Sequence, residues 1–171
     1  MKSRIVREVL ANLVFPEGEK ERRELEQRLA YDEATGVSGG RALTAAAKRL
    51  DPDPDWVAIA YDVNNFKATN ETEFGHAEGD RMIRYTARVL LLVADEFELT
   101  NRHVFRRYEG GDEFVVLCPR TVAPAFLLLS EMCFGTNRYP LGKVSLTGVI
   151  ADTMAEADLG LKAAKAARKS R

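Results

Sequence analysis

The stretch Trp56-Val57-Ala58-Ile59-Ala60-Tyr61 constrains the fold more than any other segment of this chain. An unbroken apolar run bounded by turn residues reads as a buried strand, and this one stops abruptly at Asp62. A second run, Phe114-Val115-Val116-Leu117-Cys118, starts from Asp112-Glu113. It follows the strand-like segment from Val104 to Tyr108 and the turn Glu109-Gly110-Gly111-Asp112, which together predict a hairpin with charge at its tip. A carboxylate at the end of a buried strand is a candidate site residue.

Around these strands the pattern alternates. Helical spacing is expected from Ser3 to Val14 and in a strongly charged segment from about Glu19 to Tyr31, whose thin seam is Leu25 and Leu29. A narrow seam of this kind covers little core and suits pairing with a copy of itself. Asp32 to Gly40 reads as a loop, Arg41 to Leu50 as a helix, and Gly79 to Glu98 as a long helix after a polar segment. Helix Ala123 to Phe134, strand Lys143 to Ala151 and helix Met154 to Lys169 complete the chain. The order β, α, β, β, α, β, α predicts an α+β fold, an antiparallel-rich, ferredoxin-like βαββαβ sheet with surrounding helices.

At 171 residues one core is the default. A formal charge of −1 argues against a protein that neutralises many phosphates of a nucleic-acid duplex. Cys118 and Cys133 both fall in apolar surroundings, as buried free thiols in a reducing compartment would. No window approaches a membrane span, so a cytoplasmic protein with no membrane partner is expected.

In this topology the end of the first strand neighbours the hairpin tip, so Asp62, Asp112 and Glu113 are expected to converge. Such a cluster is costly unless a cation offsets the repulsion, and oxygen-only donors favour Mg²⁺ or Mn²⁺. Gly110 and Gly111 allow positive φ and close approach of a ligand. Asn65-Phe66-Lys67 offers backbone N–H groups and an ammonium to phosphate oxygens. Asn70 and Asp80 supply the amide and carboxylate that a purine edge requires. Lys162, Lys165, Arg168 and Lys169 give the last helix basic faces within reach of a triphosphate.

The segments Asp62-Val63-Asn64-Asn65-Phe66-Lys67-Ala68-Thr69-Asn70, Phe74-Gly75-His76-Ala77-Glu78-Gly79-Asp80 and Gly110-Gly111-Asp112-Glu113-Phe114 resemble the signature segments of the GGDEF family. Asp32 to Val37 with Arg41, and Ala157-Asp158 with Ala164-Lys165, resemble it too, in the right order. The resemblance runs from about Tyr31 to the C-terminus, leaving residues 1–30 as an N-terminal helical segment. It implies a palm-like sheet and a diguanylate cyclase that joins two GTP into cyclic di-GMP, releasing pyrophosphate, in a homodimer that faces two domains together. It further implies two metal ions per active site, held by Asp62, Glu113, the Val63 carbonyl and Asp112, with Asp112 as ligand or proton acceptor. Asn70 and Asp80 would read guanine, Lys67, Lys165 and Lys169 would hold the triphosphate, and Gly110-Gly111 would give the nucleotide room.

The chain departs from the family pattern in five places. One extra residue near Glu73 lies between the two base readers, and Glu109 looks inserted before the glycines. Arg102-His103-Val104-Phe105 lacks the acid of the usual inhibitory product site, so product inhibition by that route is not expected. The segments from Phe114 to Ser145 and from Gly148 to Ala157 are short, as in a trimmed, stand-alone version. Two further readings stay open: a sister cyclase of altered base choice, like the minimal CRISPR polymerases, and a silent GTP-binding sensor.

Overall fold

The computed structural model describes residues 31–50, 53–71, 75–107, 111–136 and 144–169. The two helices expected within residues 1–30, the extra residue expected near Glu73, Glu109, Gly110 and the side chain of Lys169 lie outside the described residues. In chain order the elements are α1 (Gly40–Leu50), β1 (Trp56–Val63), α2 (Phe66–Asn70), α3 (Gly75–Glu96), β2 (Val104–Arg106), β3 (Glu113–Pro119), α4 (Ala123–Thr136), β4 (Leu146–Ala151) and α5 (Met154–Lys169).

The sheet order is β2-β3-β1-β4, with every neighbouring pair antiparallel. This is the α+β, ferredoxin-like arrangement expected from the order of elements. β1 is central, and its apolar run is continuous because both faces of the sheet are covered. Val57, Ile59, Tyr61 and Val63 face a core built with Met82, Ile83 and Leu90 of α3 and Phe126 of α4. Ala58 and Ala60 point the other way, into a smaller core with Leu43 of α1 and Ala157 and Leu161 of α5. Full burial of a large side chain contributes about 1.5–3 kcal/mol, so the larger core supplies most of the apolar stabilisation. Tyr61 is entirely buried, and its hydroxyl lies 3.0 Å from Ser130 Oγ, which keeps the phenol from being an unpaired polar group.

One edge of the sheet is blunted locally. Ser38 bridges to Phe105, accepting from the Arg106 N–H and donating its own N–H to the Val104 carbonyl, so β2 does not present a fully open edge there. No described helix is long and apolar enough to cross a membrane. Cys118 is buried and Cys133 half-buried.

Several boundaries differ from expectation, and three of them have a local physical reason or a limit in the described residues. The helix expected from Gly79 begins a turn earlier, at Gly75, and the polar segment before it contains α2. The glycines there serve close approach: a β-carbon on Gly75 would stand 2.1 Å from the Asn70 carbonyl oxygen. The same helix ends at Glu96, not Glu98, because Glu98 takes a left-handed φ of 57°. The Leu99 and Glu98 N–H groups then cap the Ala94 and Asp95 carbonyls, a Schellman closure. The last strand begins at Leu146, and its expected start at Lys143 falls outside the described residues.

Candidate functional site

Asp62 is the penultimate residue of β1 and stands directly opposite Glu113, the first residue of β3. Directly opposed residues in an antiparallel pair project to the same face, here the face of Ala58 and Ala60, which α5 covers. On α5, Ala157, Leu161 and Lys165 recur every four residues. The first two are buried, so helical geometry carries the third over the two acids.

The Lys165 ammonium lies 2.7 Å from Asp62 Oδ1 and 3.4 Å from Glu113 Oε1. It donates to Glu113, whereas its approach to Asp62 Oδ1 is an ion pair outside hydrogen-bond alignment. Asp62 is 5% exposed, so the charge it carries is scarcely hydrated. Burial alone would lower the Lys165 pKa, but the contacts with Asp62 and Glu113 outweigh it and raise it. The other oxygen of Glu113 accepts from Arg107 at 3.1 Å, and Arg107 also pairs with Asp158 on α5. Burial again opposes the Arg107 charge, and the two carboxylates more than restore it.

Asp112 sits beside this pair, its carbonyl accepting from the Val63 N–H at 3.0 Å. Its carboxyl is pushed up to about 6, first by burial and then by the charge of Asp62, against its own backbone hydrogen bond and the pull of Lys165. Among the described residues, no three acids, imidazoles or thiols are close enough to hold a metal ion by themselves. Asp62 and Glu113 meet directly across the strands, and Asp112 adjoins them closely enough to feel the charge of both. The fit to a divalent cation rests on Lys165. An ammonium drawn between two carboxylates marks a place that demands positive charge, and the donors are hard oxygens.

The neighbouring loop is built for approach. Asn65 takes a left-handed φ of 61° ahead of α2, a conformation Asn tolerates, and its Oδ1 lies 3.5 Å from Arg168 Nη1. The end of α5 thus reaches the turn after β1. Phe66 packs partly buried against the larger core, anchoring α2. Lys67 is exposed, 3.8 Å from Glu71, and is not drawn to the acids. The Asn70 side chain lies against α3: a β-carbon on Gly79 would stand 2.0 Å from Asn70 Oδ1. Asp80, the next residue, is exposed at the same turn of the helix. Gly111 adopts φ +61° at the hairpin tip, and its carbonyl accepts from Arg106 Nε at 2.9 Å.

Two arginines were not foreseen. Arg106 and Arg107 project to opposite faces: Arg106 reaches Asp32 at 3.2 Å, and Arg107 reaches Glu113 and Asp158. The available signal was strand alternation, which puts Arg107 on the face of Glu113 across the hairpin. Asn64 is a third: it is buried, donates to Ser145 Oγ and accepts from Thr147 Oγ1, tying β1 to β4 just past Asp62.

The family model described as "Diguanylate cyclase, GGDEF domain" matches residues 29–134. Diguanylate cyclase DgcM of Escherichia coli (strain K12) is 32% identical over 131 residues, covering 74% of this chain and 29% of that protein. Cyclic di-GMP phosphodiesterase PdeB of Shewanella oneidensis is 31% identical over 111 residues, covering 64% of this chain and 12% of that protein. The chain therefore spans less than a third of the length of either relative. Among solved structures, the coiled coil and GGDEF domain of DgcB from Caulobacter crescentus, in complex with c-di-GMP, superposes with a TM-score of 0.70 at 25% identity, covering 95% of each chain.

Proposed function

This chain belongs to the GGDEF family of diguanylate cyclase domains, and we propose that it condenses two GTP into cyclic di-GMP with release of pyrophosphate. The observation that carries the reading is the direct opposition of Asp62 and Glu113 across β1 and β3, with a cation already drawn between them.

In this reading Asp62, Glu113, Asp112 and the Val63 carbonyl hold two Mg²⁺ or Mn²⁺ ions. When bound, those ions lower the proton affinity of the ribose 3′-hydroxyl and offset charge on the leaving pyrophosphate. Lys67, Lys165 and Lys169 hold the triphosphate, and the Asn65-Phe66 turn lets the phosphates lie close to backbone. Gly110 and Gly111 leave space for the nucleotide, while Asn70 and Asp80 read the guanine edge. Asp112 serves as a ligand or, beside the ions, would accept the 3′-hydroxyl proton. The 3′-oxygen of one GTP then forms a bond to the α-phosphorus of the other, the bond to the β-phosphate breaks, and pyrophosphate leaves. A second such step closes the ring. The chain's contribution is placement and electrostatics.

Each domain holds one GTP, so product requires two domains face to face in a homodimer. Residues 31–171 form the cyclase domain in this proposal, and residues 1–30 help bring protomers together. Incubation with GTP and Mg²⁺ at high protein concentration, with products identified by mass and ATP as competitor, tests the reading. Absence of pyrophosphate would overturn it, and adenine-containing product would correct the base assignment. Deleting residues up to about Arg28 should lower both dimer content by sedimentation and turnover, and unchanged values would remove the role given to that segment.

A further inference from the structure

We propose that Lys165 is a mobile counter-cation: it neutralises Asp62 and Glu113 until a divalent ion takes those oxygens, and it is thereby released to the triphosphate. The inference rests on the reading above and deepens it by coupling metal binding to nucleotide binding through one side chain.

The case begins with shared oxygens. The Lys165 ammonium is 2.7 Å from Asp62 Oδ1 and 3.4 Å from Glu113 Oε1. These carboxylates are the ones proposed to hold the metal. A hard divalent cation binds carboxylate oxygen at about 2.0–2.2 Å, so it and the ammonium would repel at close range on the same oxygens. Lys165 therefore competes with the metal at the acids.

Geometry gives the ammonium somewhere to go. Lys165 stands at about a third exposure near the end of α5, on a flexible four-carbon stem. One turn further, Arg168 lies 3.5 Å from Asn65 Oδ1 at the turn proposed to receive phosphates. The same helix end thus spans the acids and the phosphate turn, and a change of rotamer on that stem is the movement the proposal requires. Glu113 does not collapse when Lys165 leaves, because Arg107 holds its second oxygen at 3.1 Å and is itself held by Asp158. Arg107 is the fixed cation of the site and Lys165 the exchangeable one.

The consequence is reciprocal: nucleotide that draws Lys165 away strengthens metal binding, and metal that expels Lys165 strengthens nucleotide binding. Metal alone should then bind poorly to the wild-type chain, and better to a chain without the ammonium.

The test measures Mn²⁺ binding by electron paramagnetic resonance on the full chain without nucleotide, in wild type, Lys165→Met and Lys165→Gln. Both variants should bind Mn²⁺ more tightly, by ~5- to 150-fold. They should also gain more thermal stability from added Mn²⁺ than wild type does. Lys162→Met, which removes an equal charge from the same helix without contact to the acids, should leave Mn²⁺ affinity near the wild-type value. Equal Mn²⁺ binding by wild type and both Lys165 variants overturns the inference while the cyclase reading stands. Equal tightening by Lys162→Met also overturns it, reducing the effect to long-range charge. No Mn²⁺ binding by any form, with or without GTP, overturns both.

Discussion

Replacing Gly79 with alanine separates base recognition from folding. The new β-carbon would lie 2.0 Å from Asn70 Oδ1, 2.9 Å from Asn70 Cγ and 3.1 Å from Phe66 Cε2. The closest atom is the tip of a side chain, so a change of χ1 that carries the amide away by about 1.5 Å relieves the clash without moving backbone. Helix propensity works in favour of the variant, since alanine in a helix interior is about 1 kcal/mol better than glycine, enough to offset the tight contact with Phe66. Folding stability should therefore stay within about 1 kcal/mol of wild type. An amide displaced by that distance loses its hydrogen bond to the purine, which costs about 1–2 kcal/mol, a ~5- to 30-fold loss of GTP affinity. Gly75→Ala is the contrast. Its β-carbon would meet the Asn70 carbonyl oxygen at 2.1 Å and the Thr69 carbonyl oxygen at 2.6 Å, both main-chain atoms that no rotamer can withdraw. That variant should lose about 1–3 kcal/mol of stability or more. Thermal melts and equilibrium GTP titration on both proteins read the two effects apart. A folded Gly79→Ala protein with undiminished GTP affinity would refute the role given to Asn70.

Asp112 gives a pH prediction. Its folded-state pKa of about 6 lies above the ordinary aspartate value, so between roughly pH 4 and pH 6 the native state holds a proton that the unfolded chain has released. Stability of the chain in chelator should fall as pH rises through that window, by about 1 kcal/mol once solvent screening of this half-buried group is allowed for. Asp112→Asn should lack that slope and exceed wild type above pH 6 in denaturant titrations, and superimposable profiles would dismiss the effect. Arg107→Gln removes the fixed partner of Glu113 and should lower kcat about tenfold, near 1.4 kcal/mol, with little change in KM, while Arg107→Lys restores part of it. An unchanged kcat would show that Glu113 needs no such support. Tyr61→Phe deletes a buried hydroxyl contact 3.0 Å from Ser130 and should cost about 1 kcal/mol in a thermal melt without altering turnover. Altered turnover would tie the larger core to the site.

What the sequence made legible was whatever a period of two or of 3.6 controls. Asp62 and Glu113 could be paired in advance because each ends an apolar run, and antiparallel neighbours place such ends side by side. What periodicity cannot express is close approach between segments. Gly79 read as the start of the long helix and Gly75 as part of the polar segment before it, yet both belong to α3, where the backbone and amide of Asn70 leave no room for a β-carbon. Glycine carries the same letter whether it ends a helix or admits a neighbour, and only the packed structure distinguishes the two. The identity of a charge's partner is hidden in the same way. Lys165 was legible as a cation for phosphate, but its contact with the acids depends on how α5 crosses the sheet. Arg107 was passed over for the same reason, since one partner is a strand residue of its own hairpin and the other sits on α5, far along the chain. Residues whose role is to link elements remote in sequence therefore emerge last, and in this fold they are the ones that govern how the two acids keep, or exchange, their counter-charges.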